Sequence, residues 1–198
     1  FEVAKGMGMD TRIGSKFLNP GPGYGGSCFP KDTNAMAYMA RKYGVEMALI
    51  ETTIRRNDER KIEMAERILS AAEGIAAPKI GVLGLAFKGG TDDCRESPAM
   101  EIVAALIERG AVVRAFDPKA MPTAKLLVGD AIEYASDACD AAKGADVVAI
   151  LTEWDDFKAI DLKALKNAVK SAKIVDLRNI LNPDEARQAG FDYRGIGR

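Results

Sequence analysis

The segment "KIGVLGL", Lys79–Leu85, decides the fold. It is a short, continuous apolar run, which is typical of a strand buried on both faces of a parallel sheet. A predicted helix follows in "SPAMEIVAALIERG", with Ser97 as N-cap, Pro98 at the first helical position and Gly110 at its end. The next predicted strand is "AVVRAFDP". A strand, a helix and a second strand in this order predict a parallel sheet with a helix packed on it.

Three more pairs of a helix and a strand continue the pattern: "DACDAAKG" with "ADVVAILT", "DLKALKNAVK" with "KIVDL", and "NPDEARQAG" with "FDYRGIG". This alternation predicts an α/β fold with a doubly wound, Rossmann-like parallel sheet. Ligands of such sheets bind beyond the carboxyl ends of the strands. We therefore expect three loops to face a ligand, "LAFKGGTDDCRES", "TEWDDF" and "DLRNI".

The loop after the first strand lacks the dinucleotide fingerprint, because "GLAFK" stands where G-x-G-x-x-G is expected. The charge of Lys88 and the ring of Phe87, ahead of a capped helix N-terminus, suit a nucleotide diphosphate. The alternative is a solvated lysine beside a core phenylalanine. The local sequence leaves both interpretations open.

The first 76 residues contain no good strand and predict a helical region. One helix has Asp32 as its N-cap and Gly44 just past its end. A long helix runs from about Val45 to Glu73, roughly 40 Å at 1.5 Å per residue, with one apolar stripe. That length predicts a dimer interface, and the alternative is a helix that covers the sheet domain. The predicted domains are residues 1–76 and 77–198. The stripe consists of Met47, Ile50, Ile54, Met64, Ile68 and Leu69.

Composition narrows the function further. The net charge of -1 does not favour nucleic acid or an anionic membrane as a partner. The three cysteines have no metal-binding spacing and suit a reducing, cytoplasmic compartment. There is no histidine, so this chain alone supplies no Ser-His-Asp site, no Cys-His site and no His-ligated zinc. The chain opens without an initiator Met, which is typical of a fragment or a processed product.

The segment "GPGYGGSCFPKD", Gly21–Asp32, carries the predicted chemistry. Its glycines let the backbone approach a ligand closely. Cys28 lies just before a helix N-terminus and near Lys31, and both features favour the thiolate, which is a covalent nucleophile. Asp32 could orient water or carry a proton. The alternative is a tight turn with an inert buried cysteine.

Two segments resemble the UDP-glucose 6-dehydrogenases, within the UDP-glucose/GDP-mannose dehydrogenase family. "RIGSKFLNPGPGYGGSCFPKD" resembles their active-site segment, and "GLAFKGGTDDCRESPAMEIVAAL" resembles the start of their UDP-binding domain. The resemblance implies a central helical dimerisation region followed by a UDP-binding domain, without the N-terminal NAD-binding domain of the family. It also implies UDP-glucose as substrate, NAD as cofactor, a homodimer and no metal.

Site residues follow from the same resemblance. Cys28 would be the nucleophile and Asp32 its acid-base partner, while Lys31 and Arg95 would reach NAD. Arg12 would cross to the substrate of a neighbouring subunit. The residues implied to bind substrate are Arg12, Phe17, Leu18, Asn19, Pro20, Gly21, Tyr24, Gly25, Phe87, Lys88 and Arg178.

The implied reaction is a double oxidation of UDP-glucose to UDP-glucuronate through a thiohemiacetal and a thioester on Cys28, with the fragment inactive alone. Three other interpretations stay open. The chain could be a nucleotide-sugar binding or regulatory module without chemistry. It could belong to the GDP-mannose or UDP-N-acetylmannosamine branch, although "GGSCFPKD" favours UDP-glucose. A thiol redox protein is the third, but no C-x-x-C is present.

Overall fold

Six parallel strands form one sheet in the computed structural model, which describes residues 2–197. The strand order is β3-β2-β1-β4-β5-β6. Since β1 and β4 are neighbours, the order reverses direction there, and the carboxyl ends of the strands form the expected ligand edge. The predicted α/β fold is confirmed. The strands are β1 (Lys79–Leu83), β2 (Val112–Phe116), β3 (Glu133–Tyr134), β4 (Val147–Ile150), β5 (Lys173–Asp176) and β6 (Asp192–Gly195).

Nine helices are described. They are α1 (Glu2–Gly8), α2 (Phe29–Lys42), α3 (Ala48–Ala71), α4 (Pro98–Glu108), α5 (Met121–Val128), α6 (Ala138–Ala142), α7 (Asp155–Lys158), α8 (Leu162–Ala168) and α9 (Pro183–Gln188). The sequence patterns did not predict α1, α5, α7 or the two-residue strand β3. These elements are short, so they carry too few apolar positions for a periodic signal.

The hydrophobic core lies on both faces of the sheet. Strand β4 is buried along its whole length, as its continuous apolar run predicted. Helix α4 contributes Ile102 and Leu106, which are fully buried. Its N-cap is Ser97 with Pro98 at the first turn, as predicted. Ser97 Oγ donates to Leu85 O at 2.8 Å, which also ties the helix start to the loop after β1.

The helical region differs from prediction at one cap. Cys28 is the N-cap of α2, and Asp32 lies inside the first turn of that helix. The Asp32 N–H donates to Cys28 O at 2.9 Å, so the helix starts four residues earlier than the cap preference of aspartate suggested. Proline at position 30 allows that start, because proline is favoured in the first turn.

Helix α3 has 24 residues and packs in two different ways. In its second half, Met64 and Ile68 are buried in the core of the sheet domain. In its first half, Ile50 and Ile54 are only half-buried. The alternative of a helix that covers the sheet therefore holds for the second half, and the dimer interface and the domain boundary at 76 stay predictions.

No helix in residues 2–197 combines the length and the apolar character needed to cross a membrane. The cytoplasmic location stays a prediction.

Candidate functional site

Arg178 joins the three loops that were expected to face a ligand. Its Nη2 donates to Phe87 O at 2.8 Å and its Nε to Leu151 O at 3.0 Å. The carboxylate of Glu153 lies 3.1 Å from the same Nε. Burial lowers the pKa of Arg178, and the nearby carboxylates oppose that shift. One largely buried guanidinium thus fixes the ends of β1, β4 and β5 relative to one another.

Two buried aspartates shape these loops, and sequence reasoning missed both. Asp117 Oδ2 accepts hydrogen bonds from Leu85 N at 2.7 Å and from Trp154 Nε1 at 3.0 Å. Asp176 Oδ1 accepts from Arg178 N at 2.9 Å, which orients the start of the arginine's loop. Each aspartate lies at the end of a predicted strand, in "AFDP" and "VDL". Its position at the carboxyl edge of the sheet is therefore the sequence signal that could have identified it.

A cavity of about 1120 Å³ opens at this edge of the sheet. It brings together Arg178 and four consecutive members of the predicted substrate set, the segment Phe17–Pro20. Lys16 and Lys158 also line it, so three cations and the carboxylate of Glu153 share its wall. Sequence reasoning missed Lys16, Lys158 and Glu153. The excess of positive charge suits an anionic ligand.

The segment Gly21–Gly26, called the glycine loop below, packs against the sheet domain. A Cβ on Gly25 would lie 2.1 Å from Glu96 O and 2.6 Å from Pro98 Cδ. Gly26 has a φ of 86° and a Cβ there would lie 2.8 Å from the Phe87 ring. Only glycine fits at these two positions. The glycines thus serve the close approach of two parts of the protein, in addition to any approach of a ligand.

The first residue of the glycine loop is held by the long helix α3. Arg60 donates from Nε and Nη2 to Gly21 O, at 3.0 and 2.9 Å. The same residue also lies close to Arg178, because a Cβ on Gly21 would lie 2.9 Å from Arg178 Nη1. The glycine loop therefore begins between a helix of the N-terminal region and the guanidinium of the sheet edge. Arg60 carried no sequence signal beyond its place on the helix.

Cys28 is the accessible thiol of the chain. Cys94 is buried, and burial followed by the charge of Asp117 raises its pKa to about 11. Burial and two aspartates also raise the pKa of Cys139. Cys28 is exposed at the N-cap of α2, where the helix dipole favours negative charge. Of the three thiols, Cys28 is exposed, Cys139 is half-buried and Cys94 is buried, so Cys28 is the most accessible to a ligand or a reagent.

The other predicted charged residues lie outside the described lining of the cavity. Lys31 pairs with Asp32 at 3.1 Å, and both side chains are exposed. Lys88 Nζ lies 5.3 Å from the centroid of the Phe87 ring, which suits the predicted pairing of these two residues. Cys28 is likewise not among the described lining residues.

Arg12 and Arg95 each bind a neighbouring aspartate. Arg12 Nη2 lies 2.6 Å from Asp10 Oδ2, and Arg95 Nη2 lies 2.8 Å from Asp93 Oδ2. The hydrogen bond to Asp93 raises the pKa of Arg95, with a smaller contribution from the charge of Cys28. Both guanidiniums are exposed and can reach other groups.

The chain offers limited support for a dinucleotide. The loop after β1 lacks G-x-G-x-x-G, and the two residues predicted to meet NAD, Lys31 and Arg95, are exposed cations near Cys28. These two cations could pair with one side of the diphosphate of a dinucleotide, but they cannot surround it. Among residues 2–197, no cluster of histidine, cysteine, aspartate and glutamate could hold a metal ion.

Comparisons with known proteins agree with these features. A model of the UDP-glucose/GDP-mannose dehydrogenase family, UDP binding domain, matches residues 81–183, and a model of the central domain of the same family matches residues 1–59. A UDP-glucose 6-dehydrogenase from Rhizobium meliloti is 48% identical over 198 residues, which are 100% of this chain and 45% of the relative. The chain thus spans about half the length of that relative.

Two solved structures show the same arrangement. A UDP-glucose dehydrogenase from Pyrobaculum islandicum superposes with a TM-score of 0.83 and 36% identity, covering 98% of this chain and 43% of the other. A UDP-D-ManNAc dehydrogenase from Pyrococcus horikoshii has a TM-score of 0.78 and 29% identity, covering 100% of this chain and 44% of the other.

Proposed function

The chain belongs to the UDP-glucose/GDP-mannose dehydrogenase family, and from that premise we propose that it is the part of a UDP-glucose 6-dehydrogenase that binds the UDP-sugar and supplies the nucleophilic thiol. The observation that carries the proposal is the meeting of Arg178, the cavity and the glycine loop at one edge of the sheet. A nucleotide diphosphate binds at that edge, and the sugar extends along the loop toward Cys28.

The cavity supplies the nucleotide half of the proposed site. Its cations Lys16, Lys158 and Arg178 offset the charge of a diphosphate, and Phe17–Pro20 supply backbone and apolar contacts. Phe17 is 91% exposed, which leaves its ring free to cover a base or ribose. Tyr24, Gly21 and Gly25 belong to the loop that the sugar follows, and Lys88 with Phe87 extends that path.

Cys28 performs the proposed covalent step. Its thiolate attacks the aldehyde carbon at C6 of the oxidised sugar and forms a thiohemiacetal in its alkoxide form. Loss of a second hydride from that carbon leaves a thioester. Water then adds to the thioester, which releases the uronate and returns the thiolate. Asp32, one helical turn after Cys28, is the proposed group that takes a proton from the attacking water.

NAD⁺, when bound, is the acceptor of the hydrides that leave C6. The chain's own contribution to that partner is limited to the exposed cations Lys31 and Arg95. We therefore expect this chain alone to form no NADH from UDP-glucose. Similarity favours UDP-glucose over the other sugar nucleotides, since identity is 36% to the UDP-glucose dehydrogenase structure and 29% to the UDP-D-ManNAc dehydrogenase structure.

Calorimetric titration of the chain with UDP, UDP-glucose, GDP-mannose and NAD⁺ tests the proposal. Weak binding of UDP and UDP-glucose is expected, with Kd on the order of 0.1–1 mM. Arg178→Ala removes a charge-assisted contact of about 1.5–3 kcal/mol and should weaken UDP binding by roughly 10- to 100-fold. Arg187→Ala is the control for loss of an arginine, because Arg187 is exposed on α9 and lies outside the described lining of the cavity. It should leave UDP binding unchanged.

Each result has one meaning. No heat with UDP or UDP-glucose at millimolar concentration rejects the site. Tighter binding of GDP-mannose keeps the family and rejects the branch. NADH formation by this chain would show that the chain alone provides the whole active site. Alkylation of Cys28 tests whether the bound sugar reaches the thiol. Bound UDP-glucose should slow alkylation if it does, and a module that binds the nucleotide alone should show no such protection.

A further inference from the structure

A side chain of the long helix α3 binds the backbone of the glycine loop just before the cysteine. Asn57 is buried on α3. Its Oδ1 accepts a hydrogen bond from Tyr24 N at 2.8 Å, and its Nδ2 donates to Tyr24 O at 3.1 Å. One amide therefore satisfies both backbone groups of a loop residue, as a neighbouring strand would. The contact spans 33 positions of sequence, so it belongs to the tertiary structure.

Tyr24 connects this contact to the helix that carries the thiol. The rings of Tyr24 and Phe29 meet edge to face, with centroids 4.6 Å apart. Phe29 is the first residue of α2, and Cys28 is its N-cap. A shift of the Tyr24 backbone therefore moves the ring that packs on the start of α2. The two rings therefore connect the backbone that Asn57 binds to the start of the helix that Cys28 caps.

Helix α3, which carries Asn57, is tied to helix α4 of the sheet domain by an ion pair. Lys61, one turn further along α3, is 5% exposed and its Nζ bonds Glu101 of α4 at 2.7 Å. Burial acts to lower the pKa of Lys61, but its bonds to Glu101 and Asp58 outweigh burial and raise it, so the pair stays charged. Helix α3 is thus fixed to the sheet domain next to the glycine loop.

We propose that Asn57 is a positioning residue that sets the distance between the sugar C6 and Cys28. The proposal rests on the proposed function. The nucleotide is held in the cavity, and Cys28 lies outside the cavity wall, so the loop between them determines whether the thiol meets the reacting carbon. Misplacement by about 1 Å can cost roughly 100-fold in rate. Loss of Asn57 should therefore separate the binding of UDP-glucose from its contact with the thiol.

The experiment measures both quantities in the 198-residue chain. Calorimetry gives the Kd of UDP-glucose, and the rate of Cys28 alkylation by iodoacetamide, with and without saturating UDP-glucose, gives a protection factor. The variants are Asn57→Ala, which removes both hydrogen bonds, and Asn57→Asp, which keeps the size and the acceptor for Tyr24 N but places a carboxylate oxygen against Tyr24 O. The matched control is Asn182→Ala, because Asn182 caps α9 through bonds to Asp184 N and Glu185 N.

For Asn57→Ala we expect a protection factor lowered by about tenfold or more while the Kd changes by less than about threefold. Asn57→Asp should also lower the protection factor, because its second oxygen repels Tyr24 O. It supplies the test if the alanine variant does not fold. Asn182→Ala should lower the denaturation midpoint and leave both quantities unchanged.

Unchanged protection in the folded Asn57 variants overturns the inference, while the unmodified chain still binds and is protected. A variant in which the affinity for UDP-glucose and the protection factor fall by the same factor also overturns the inference, because that pattern indicates a purely structural role. Binding of UDP-glucose without any protection in the unmodified chain has the same consequence. Absence of UDP-glucose binding in the unmodified chain rejects the proposed function instead.

Discussion

Replacing Gly25 by alanine should disrupt the site through packing alone. A Cβ at this position would lie 2.1 Å from Glu96 O and 2.6 Å from Pro98 Cδ, well inside any real contact distance. Neither neighbour can turn away, since one atom is backbone and the other belongs to a proline at the start of α4. Overpacking costs about 1–3 kcal/mol. In a chain of this size about 2 kcal/mol lowers Tm by roughly 4–8 °C.

Gly6→Ala is the matched control for this change. Gly6 lies within α1, and a Cβ there meets nothing within 4 Å. Alanine in a helix is favoured over glycine by about 0.5–1 kcal/mol, so this variant should be neutral or slightly more stable. Scanning calorimetry measures both variants, and alkylation of Cys28 with and without UDP-glucose measures the site. If Gly25→Ala matched Gly6→Ala in Tm and in protection, the role assigned to the close approach would be refuted.

Three further outcomes are expected. Limiting iodoacetamide at neutral pH should label Cys28 first by mass spectrometry, because a pKa of about 11 leaves Cys94 with roughly 100-fold less thiolate than an ordinary thiol; earlier labelling of Cys94 would contradict this. Burial raises the pKa of Cys94 from 9.0 to about 11 in the folded chain. Between pH 9 and pH 11 the thiol therefore ionises more readily in the unfolded chain, and the free energy of unfolding should fall by roughly 2–3 kcal/mol across that window. Denaturant unfolding across that window should show a shallower fall for Cys94→Ala. Glutamate at both Ile50 and Ile54 should give monomers in sedimentation if the first half of α3 is an interface, and a monomeric unmodified chain at high concentration would reject the dimer.

The fold could be predicted largely from the sequence because its central strands, β1, β4 and β5, are buried on both faces. The runs "GVLGL" and "VVAIL" have no polar interruption, and helices with clear caps separate them from their neighbours. The start of α2 was predicted wrongly because two sequence signals conflict. Aspartate is preferred as an N-cap, which favours a start at Asp32, whereas proline is preferred in the first turn, and the helix follows the proline by starting after Cys28. The short helix α7 depends on Phe157, which is buried by tertiary packing and carries no local period.

The candidate site could be proposed from the sequence where its residues are adjacent in the chain, but not where a side chain contacts it from a distant position. The glycine loop and its cysteine stand together in sequence, so their association needed no structure. Asn57 and Arg60 reach that loop across 33 and 39 positions. In sequence they are ordinary polar residues on a helix. Only the packing of α3 against the loop distinguishes them from the exposed arginines Arg55 and Arg56 of the same helix.

The separation of the cavity from Cys28 has a consequence for specificity on the proposed function. A nucleotide sugar has a fixed length, so its reactive carbon meets the thiol only if the protein fixes the distance from Arg178 to Cys28. The glycine loop lies between these two residues and is held at two points, by Arg60 at Gly21 and by Asn57 at Tyr24. A loop that moved would accept sugars of several lengths and align none of them. The glycines therefore allow the loop to adopt a conformation that other residues could not, and the α3 side chains Asn57 and Arg60 hold the loop in that conformation.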